Sequence, residues 1–191
     1  METLSKLFGS EAKVKMMRLF LFNPETVFCV ADIAKRSNEN TTKVRKEINL
    51  LQKTGLVKHH MTRAGKNGFV LNSQFTYLLP LQNFLINIEP LHPKEIVRRI
   101  GKLGAVKLLL VAGVFIKNPE SRVDILIVGD HIKKSVMEHT IKSLESEIGK
   151  ELRYAYFTTE DFNYRNGMCD KLTRDILDYP HKTLVNKLGI L

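Results

Sequence analysis

Between Thr41 and Thr54 the residue types and their spacing set up one chemical face. Val44, Ile48 and Leu51 recur at i, i+4 and i+7, which predicts a helix burying one stripe and turning Thr42, Lys43, Arg45, Lys46 and Asn49 outwards. Cations interleaved with hydrogen-bonding side chains suit a polyanion. A second polar and basic group follows, with Lys58, His59 and His60 on one predicted strand and Arg63, Lys66 and Asn67 in the loop after it. Other chemistry is sparse. Adjacent histidines on a strand point to opposite faces, which is wrong for chelating one metal, so one of the pair is expected to be packed and the other exposed. Cys29 and Cys169 are too few for a disulfide framework or a zinc site and read as small core hydrophobes. No metal and no cofactor is expected.

Such residues need a scaffold, and the composition supplies one. The 191 residues carry 30 Lys and Arg against 20 Asp and Glu, a net charge of +10, with 43% hydrophobic residues. That is too apolar for a disordered basic tail and long enough for one large or two small domains. The excess is uneven: residues 1–78 hold 13 basic and 6 acidic side chains, residues 79–191 hold 17 and 14. This step suggests a polyanion-binding module joined to something more neutral. Charges interrupt every apolar run well short of the roughly 20 residues a membrane helix needs. The first 23 residues have charges scattered through their apolar positions and do not read as a secretory signal, so a cytoplasmic protein is expected.

The elements follow from periodicity and punctuation. Ser10 is placed to cap a helix over 11–22 that Asn23-Pro24 ends, and Val27–Val30 reads as a short strand. A two-turn helix over 31–37 and the turn Asn38-Glu39-Asn40 lead to the helix from Thr41, with Gly55 as its C-terminal cap. Strands over 56–62 and 68–71 form a hairpin with a basic loop. Residues 72–90 are mostly apolar, and Pro80 opens a connecting helix. A helix over 93–100, strands over 106–116 and 122–128, a helix over 133–148 carrying Val136, Ile141, Leu144 and Ile148, a strand over 151–158 and two short helices complete the chain. That order implies a mixed sheet with helices on one face.

The order helix, short strand, helix, turn, helix, strand, loop, strand over residues 4–72 resembles a winged helix-turn-helix domain. The run 30–57, from Val30-Ala31-Asp32-Ile33-Ala34 to Thr54-Gly55-Leu56-Val57, carries the likeness. Ala31 and Ala34 are small enough to let the second helix cross the third. The resemblance implies that the helix from Thr41 enters the major groove N-terminus first. Arg45 would then read guanine and Asn49 adenine, while Thr41, Thr42, Lys43 and Lys46 hold phosphates. Lys58, His60, Arg63, Lys66 and Asn67 would bring the hairpin to the adjacent backbone or minor groove.

The segment Leu108–Asp130 resembles the first two strands of minimal nucleotidyltransferase domains. In that family a strand ends in Gly-Ser, which holds a triphosphate, and Ser-Asp-x-Asp on the next strand holds two metal ions. Here Gly113 is followed by Val114, and Ser121-Arg122-Val123-Asp124 retains only the second carboxylate. A cation at the metal position argues against catalysis, and Arg122 is expected to pair with Asp124 two residues away. Asp130 is expected at a helix N-terminus. The resemblance leaves Gly113, Arg122 and Asp124 as a candidate vestigial nucleotide site.

The expected architecture is therefore α+β: a winged helix-turn-helix at 1–78, a connecting helix at 79–91 and a nucleotidyltransferase-like mixed sheet with helices at 92–191. The expected function is transcriptional regulation by a homodimer on double-stranded DNA, without enzyme activity, the second domain serving assembly or a nucleotide or protein effector. The alternative is an active, antitoxin-like nucleotidyltransferase acting on a small molecule, RNA or protein.

Overall fold

The computed structural model of the chain describes residues 2–61, 65, 67–86 and 91–190. In chain order the elements are α1 (Glu2–Phe8), α2 (Glu11–Phe22), α3 (Val30–Ser37), α4 (Thr41–Lys53), β1 (Val57–Met61), β2 (Asn67–Leu71), α5 (Leu78–Leu85), α6 (Pro93–Ile100), β3 (Ala105–Val111), β4 (Ile125–Asp130), α7 (Lys134–Ile148), β5 (Tyr154–Phe157), α8 (Thr159–Gly167), α9 (Lys171–Asp178) and β6 (Lys182–Asn186). Helices and two sheets make an α+β chain. None of the described helices is long and apolar enough to cross a membrane.

Two compact units form: residues 1–88 with 142–151, and residues 89–141 with 152–191. This division departs from the expected boundaries. The connecting helix, α5, belongs to the first unit, where Leu85 is buried in its core and Leu78 and Leu81 pack against it. Residues 142–151 return to the same unit, so the division passes through α7. Residues 87–90 of the expected connection lie outside the described residues.

In the first unit α2 is the central helix. Ser10 Oγ accepts the Lys13 N–H at 3.3 Å to start it, and Val14, Met16, Met17, Leu19, Phe20 and Leu21 are all buried. A helix apolar on most sides demands neighbours on most sides. Ile33 of α3, Val44, Ile48 and Leu51 of α4, and Leu56, Val57 and Leu71 at the hairpin join its core. Truncating a side chain such as Ile48 to alanine there costs about 2–5 kcal/mol. Val27–Val30, expected as a strand, is reduced to a single antiparallel bridge, with Phe28 and Phe69 exchanging backbone hydrogen bonds at 2.9 Å. Gly68 is required there, because a Cβ would run into the Phe28 carbonyl. Ala31 is exposed, so at the α3 contact only Ala34 packs on the core as expected.

The returning segment is held by polar contacts, of which those of Arg18 are buried. Arg18 donates from Nε to the Leu85 carbonyl (3.2 Å) and from Nη1 to the Glu147 carbonyl (2.9 Å). Burial pushes its guanidinium below its ordinary pKa, opposed by the charge of Glu147. Asn23 Nδ2 donates to the Gly149 carbonyl at 2.9 Å, and Arg36 pairs with Glu151.

The second unit is a four-stranded mixed sheet in the order β5-β4-β3-β6. β3 is antiparallel to β4 and β6, and β4 is parallel to β5. β4 is buried at consecutive positions from Ile125 to Gly129, so both faces are covered rather than one. Phe162 of α8 and Ile176 of α9 pack on Leu108, Leu110, Leu126 and Val128. On the opposite face Val97 of α6 lines a cleft of about 250 Å³ with Leu109 and Val185. The strand expected over 106–116 ends at Val111, and Gly113–Phe115 is a 3-10 turn. In α7 Met137, not Val136, joins Ile141, Leu144 and Ile148 in burial.

Candidate nucleic-acid interface

α4 starts where Asn40 Oδ1 accepts the Lys43 N–H at 2.8 Å. Its inner stripe is Val44, Glu47, Ile48 and Leu51, as the spacing predicts, with Glu47 added. Thr41, Thr42, Lys43, Arg45, Lys46 and Asn49 are all exposed. The helix carries no acid in its first turn, so its positive dipole end is not neutralised from within. Glu47, the one acid on α4, is turned inwards and lies 3.7 Å from Lys13 Nζ. Every charged side chain on the outer face is therefore a cation.

The cations differ in what holds them. Lys43 Nζ stands 3.4 Å from Glu39 Oε2, but Glu39 also pairs with Lys15 at 3.0 Å, and Lys43 remains mostly exposed. Arg45 and Lys46 have no acidic partner among the described residues, and both can reach a ligand without breaking an ion pair. Surface pairs of the Lys43 kind are worth at most about 1 kcal/mol, so phosphate competes with them easily.

Gly55, at φ +81°, turns the chain from α4 into the hairpin. Lys58 lies opposite Val70, His60 opposite Gly68 and Met61 opposite Asn67. Lys58, His60 and Asn67 are exposed, and Lys58 and His60 share one strand face. His59 is exposed as well, with its ring edge-on to Phe69 at 5.8 Å, so neither histidine is a packed core residue. Arg63 and Lys66 lie outside the described residues.

In the second unit Gly113 and Asp124 come together and Arg122 does not join them. Asp124 is 1% exposed. Its Oδ1 accepts the Val114 N–H at 2.9 Å, and its Oδ2 accepts the Arg153 N–H at 2.8 Å and lies 3.4 Å from Arg153 Nε. Arg122 pairs instead with Asp175 of α9 at 3.0 Å. The expected i, i+2 pairing fails because β4 starts only at Ile125, so 122 and 124 do not share a strand face. Among the described residues no three His, Cys, Asp or Glu side chains cluster as a metal site requires.

Asp130, expected as a helix N-terminal residue, is instead the last residue of β4; its side chain reaches across to the start of α8, accepting the Thr159 N–H at 3.0 Å and the Thr159 hydroxyl at 2.7 Å, and pairs with Lys107 at 2.9 Å. Those contacts, the Thr159 amide first, hold its carboxyl well below the usual range. Cys29 is a helix cap rather than a core hydrophobe, its Sγ accepting the Asp32 N–H at 3.4 Å, and Cys169 is exposed. No protein-family model, curated protein or solved structure matches the chain.

Proposed function

We propose that the chain is a DNA-binding transcriptional regulator whose first unit is a winged helix-turn-helix and whose second unit is a nucleotidyltransferase-like fold without catalytic activity. The observation that carries the reading is the outer face of α4: exposed Lys43, Arg45, Lys46 and Asn49 follow an acid-free helix start, and the helix's one acid is turned inwards. In the major groove that face presents Arg45 to guanine and Asn49 to adenine, with Thr41, Thr42, Lys43 and Lys46 on flanking phosphates. Lys58, His60 and Asn67 of the hairpin extend the contact along the backbone. Two copies reading two half-sites give such a small module useful affinity.

The inactive reading of the second unit is supported by Asp124, whose carboxylate oxygens already accept two backbone amides. Gly113 serves that arrangement, and Arg122 is engaged with α9. The unit then acts in assembly or effector binding, for which the cleft between α6 and the β3–β6 face offers one concavity.

The test is a fluorescence-anisotropy titration against genomic fragments over a salt series. Saturable binding that weakens steeply with salt and is lost in the triple variant Lys43→Ala/Arg45→Ala/Lys46→Ala is the expected result. Binding unchanged by that variant overturns it. Transfer of labelled nucleotide from a triphosphate with magnesium or manganese, abolished by Asp124→Ala, would establish the enzymatic alternative.

A further inference from the structure

From residue 37 to residue 88 the sequence holds seven Lys and Arg but only two acids, Glu39 and Glu47. One precedes the cations of α4 and the other follows them, so both are placed to compete with a polyanion for those cations. Each is met by a lysine of α2. Glu47 lies 3.7 Å from Lys13 Nζ, and Glu39 Oε1 accepts a hydrogen bond from Lys15 Nζ at 3.0 Å. Lys15 is buried, where a lysine is rare unless paired, and it has two partners: Glu39 and, at 2.8 Å, Glu11. Burial pulls its ammonium down in pKa, but the hydrogen bonds to Glu11 and Glu39 outweigh that and hold it above the ordinary lysine value. The positive charge at this buried point is therefore permanent at neutral pH.

Glu39 stands at a junction of three helices. Its backbone N–H closes α3 on the Ala34 carbonyl at 3.0 Å, and it immediately precedes Asn40, the cap of α4. Its carboxylate is shared unequally, Oε1 with Lys15 at 3.0 Å and Oε2 with Lys43 at 3.4 Å. The longer contact is at the weak end of hydrogen bonding, and Lys43, 63% exposed, can turn away from it. Without the charge of Lys15, the full charge of Glu39 would fall on Lys43, its i+4 neighbour.

We infer that Lys15 is a positioning residue for polyanion binding: by neutralising Glu39 from the buried side it keeps Lys43 free on the outer face of α4. Lys15 touches no ligand itself and acts through Glu39. The inference rests on the proposed reading of α4 as a nucleic-acid face, and it names the buried pair that sets the strength of one phosphate contact there. The sign of each effect separates it from a role in stability alone. Removing Lys15 turns Glu39 against Lys43 and against DNA, removing Glu39 does the opposite, and removing both cancels.

The experiment compares the full-length wild type, Lys15→Met, Glu39→Gln and the double variant, each checked for folding by far-UV circular dichroism. In anisotropy titrations on duplex DNA, Lys15→Met is expected to weaken binding roughly three- to tenfold at 0.1 M salt and to flatten the slope of log K against log salt by up to about 0.9. Glu39→Gln is expected to tighten binding roughly two- to fivefold, the range that a surface pair of this kind spans. The double variant should lie between the two, near wild type. Without DNA, trace acetylation of Lys43 read by mass spectrometry should slow in Lys15→Met and quicken in Glu39→Gln. A double variant as weak as Lys15→Met, weaker binding by Glu39→Gln, or Lys43 acetylation equal in all four proteins overturns the inference. Should Lys15→Met not fold, Glu39→Gln and the double variant decide by the same signs. If the wild type binds no duplex, the proposed function falls, and the acetylation rates alone then decide whether Lys15 governs Lys43.

Discussion

Gly113 and Asp124 fit each other by subtraction: a Cβ at position 113 would fall on the Asp124 carboxylate. The missing side chain is what lets that buried acid reach the Val114 and Arg153 amides. Gly113 also takes φ +52°, the left-handed region that glycine enters without strain. A glycine and an aspartate that resemble parts of a nucleotide site thus serve to join the 3-10 turn, the start of β4 and the start of β5.

Gly113→Ala should destabilise the protein by about 2–4 kcal/mol, since it combines a clash with a buried acid and backbone strain. Asp124→Asn should cost about 1–3 kcal/mol, because an amide offers a donor where a backbone N–H needs an acceptor. Urea denaturation measures both. Millimolar magnesium should leave the wild-type midpoint unchanged; a magnesium-dependent rise that Asp124→Asn removes would give the carboxylate a metal role instead.

The two kinds of contact on α4 should separate by salt. Lys46→Ala removes a phosphate contact, so it should weaken binding to all sequences alike and flatten the slope of log K against log salt by about 0.9. Asn49→Ala should cost about 1–3 kcal/mol on the preferred site only, with the slope unchanged. Anisotropy titrations at four salt concentrations on specific and scrambled duplexes distinguish them.

Acid should weaken the second unit through Glu95. Hydrogen bonds from Arg98 (2.6 and 2.8 Å) and Arg99 (2.7 Å) lower its pKa from 4.5 to about 2. A carboxyl whose folded pKa is depressed stabilises the fold above its unfolded pKa and loses that contribution as pH falls through the folded one. Glu95→Gln should therefore lower the denaturation midpoint at pH 7, and its difference from wild type should shrink between pH 4.5 and about 2. Asp130, held low by Thr159 and Lys107, acts in the same direction.

Gly149→Ala should destabilise the first unit by about 2–4 kcal/mol. The residue has φ +88°, and a Cβ would lie 2.5 Å from the Arg18 carbonyl carbon and 2.6 Å from the Leu19 nitrogen, backbone atoms that cannot swing aside. Thermal unfolding measures the loss. Amide exchange should quicken in α2 even though the substitution lies more than a hundred residues away in sequence.

The parts of this structure that were legible are the local ones. The α4 stripe, its exposed cations, the Ser10 cap and the Gly55 turn all depend on neighbours within a few residues, which spacing encodes. What escaped depended on distant partners. Arg122 pairs with Asp175 rather than Asp124 because of where β4 begins, which no short pattern marks. β6 leaves no mark in the sequence pattern, since Lys182–Asn186 is short and only half-buried, and its strand form comes from pairing with β3. α1 carries no clear cap or stripe either, while the apolar character of Cys29 hides its action through sulfur as a cap.

The return of residues 142–151 to the first unit also has a meaning for how the protein is made. A ribosome adds about 5–20 residues per second. After residue 88 has been polymerised, roughly 3–12 s pass before residue 151 joins the chain. Throughout that interval Arg18 has no Glu147 carbonyl to bond and Asn23 no Gly149 carbonyl. The first unit thus closes only after most of the second has been translated, and a nascent chain stalled between the two segments would present an unfinished α2 to chaperones and proteases.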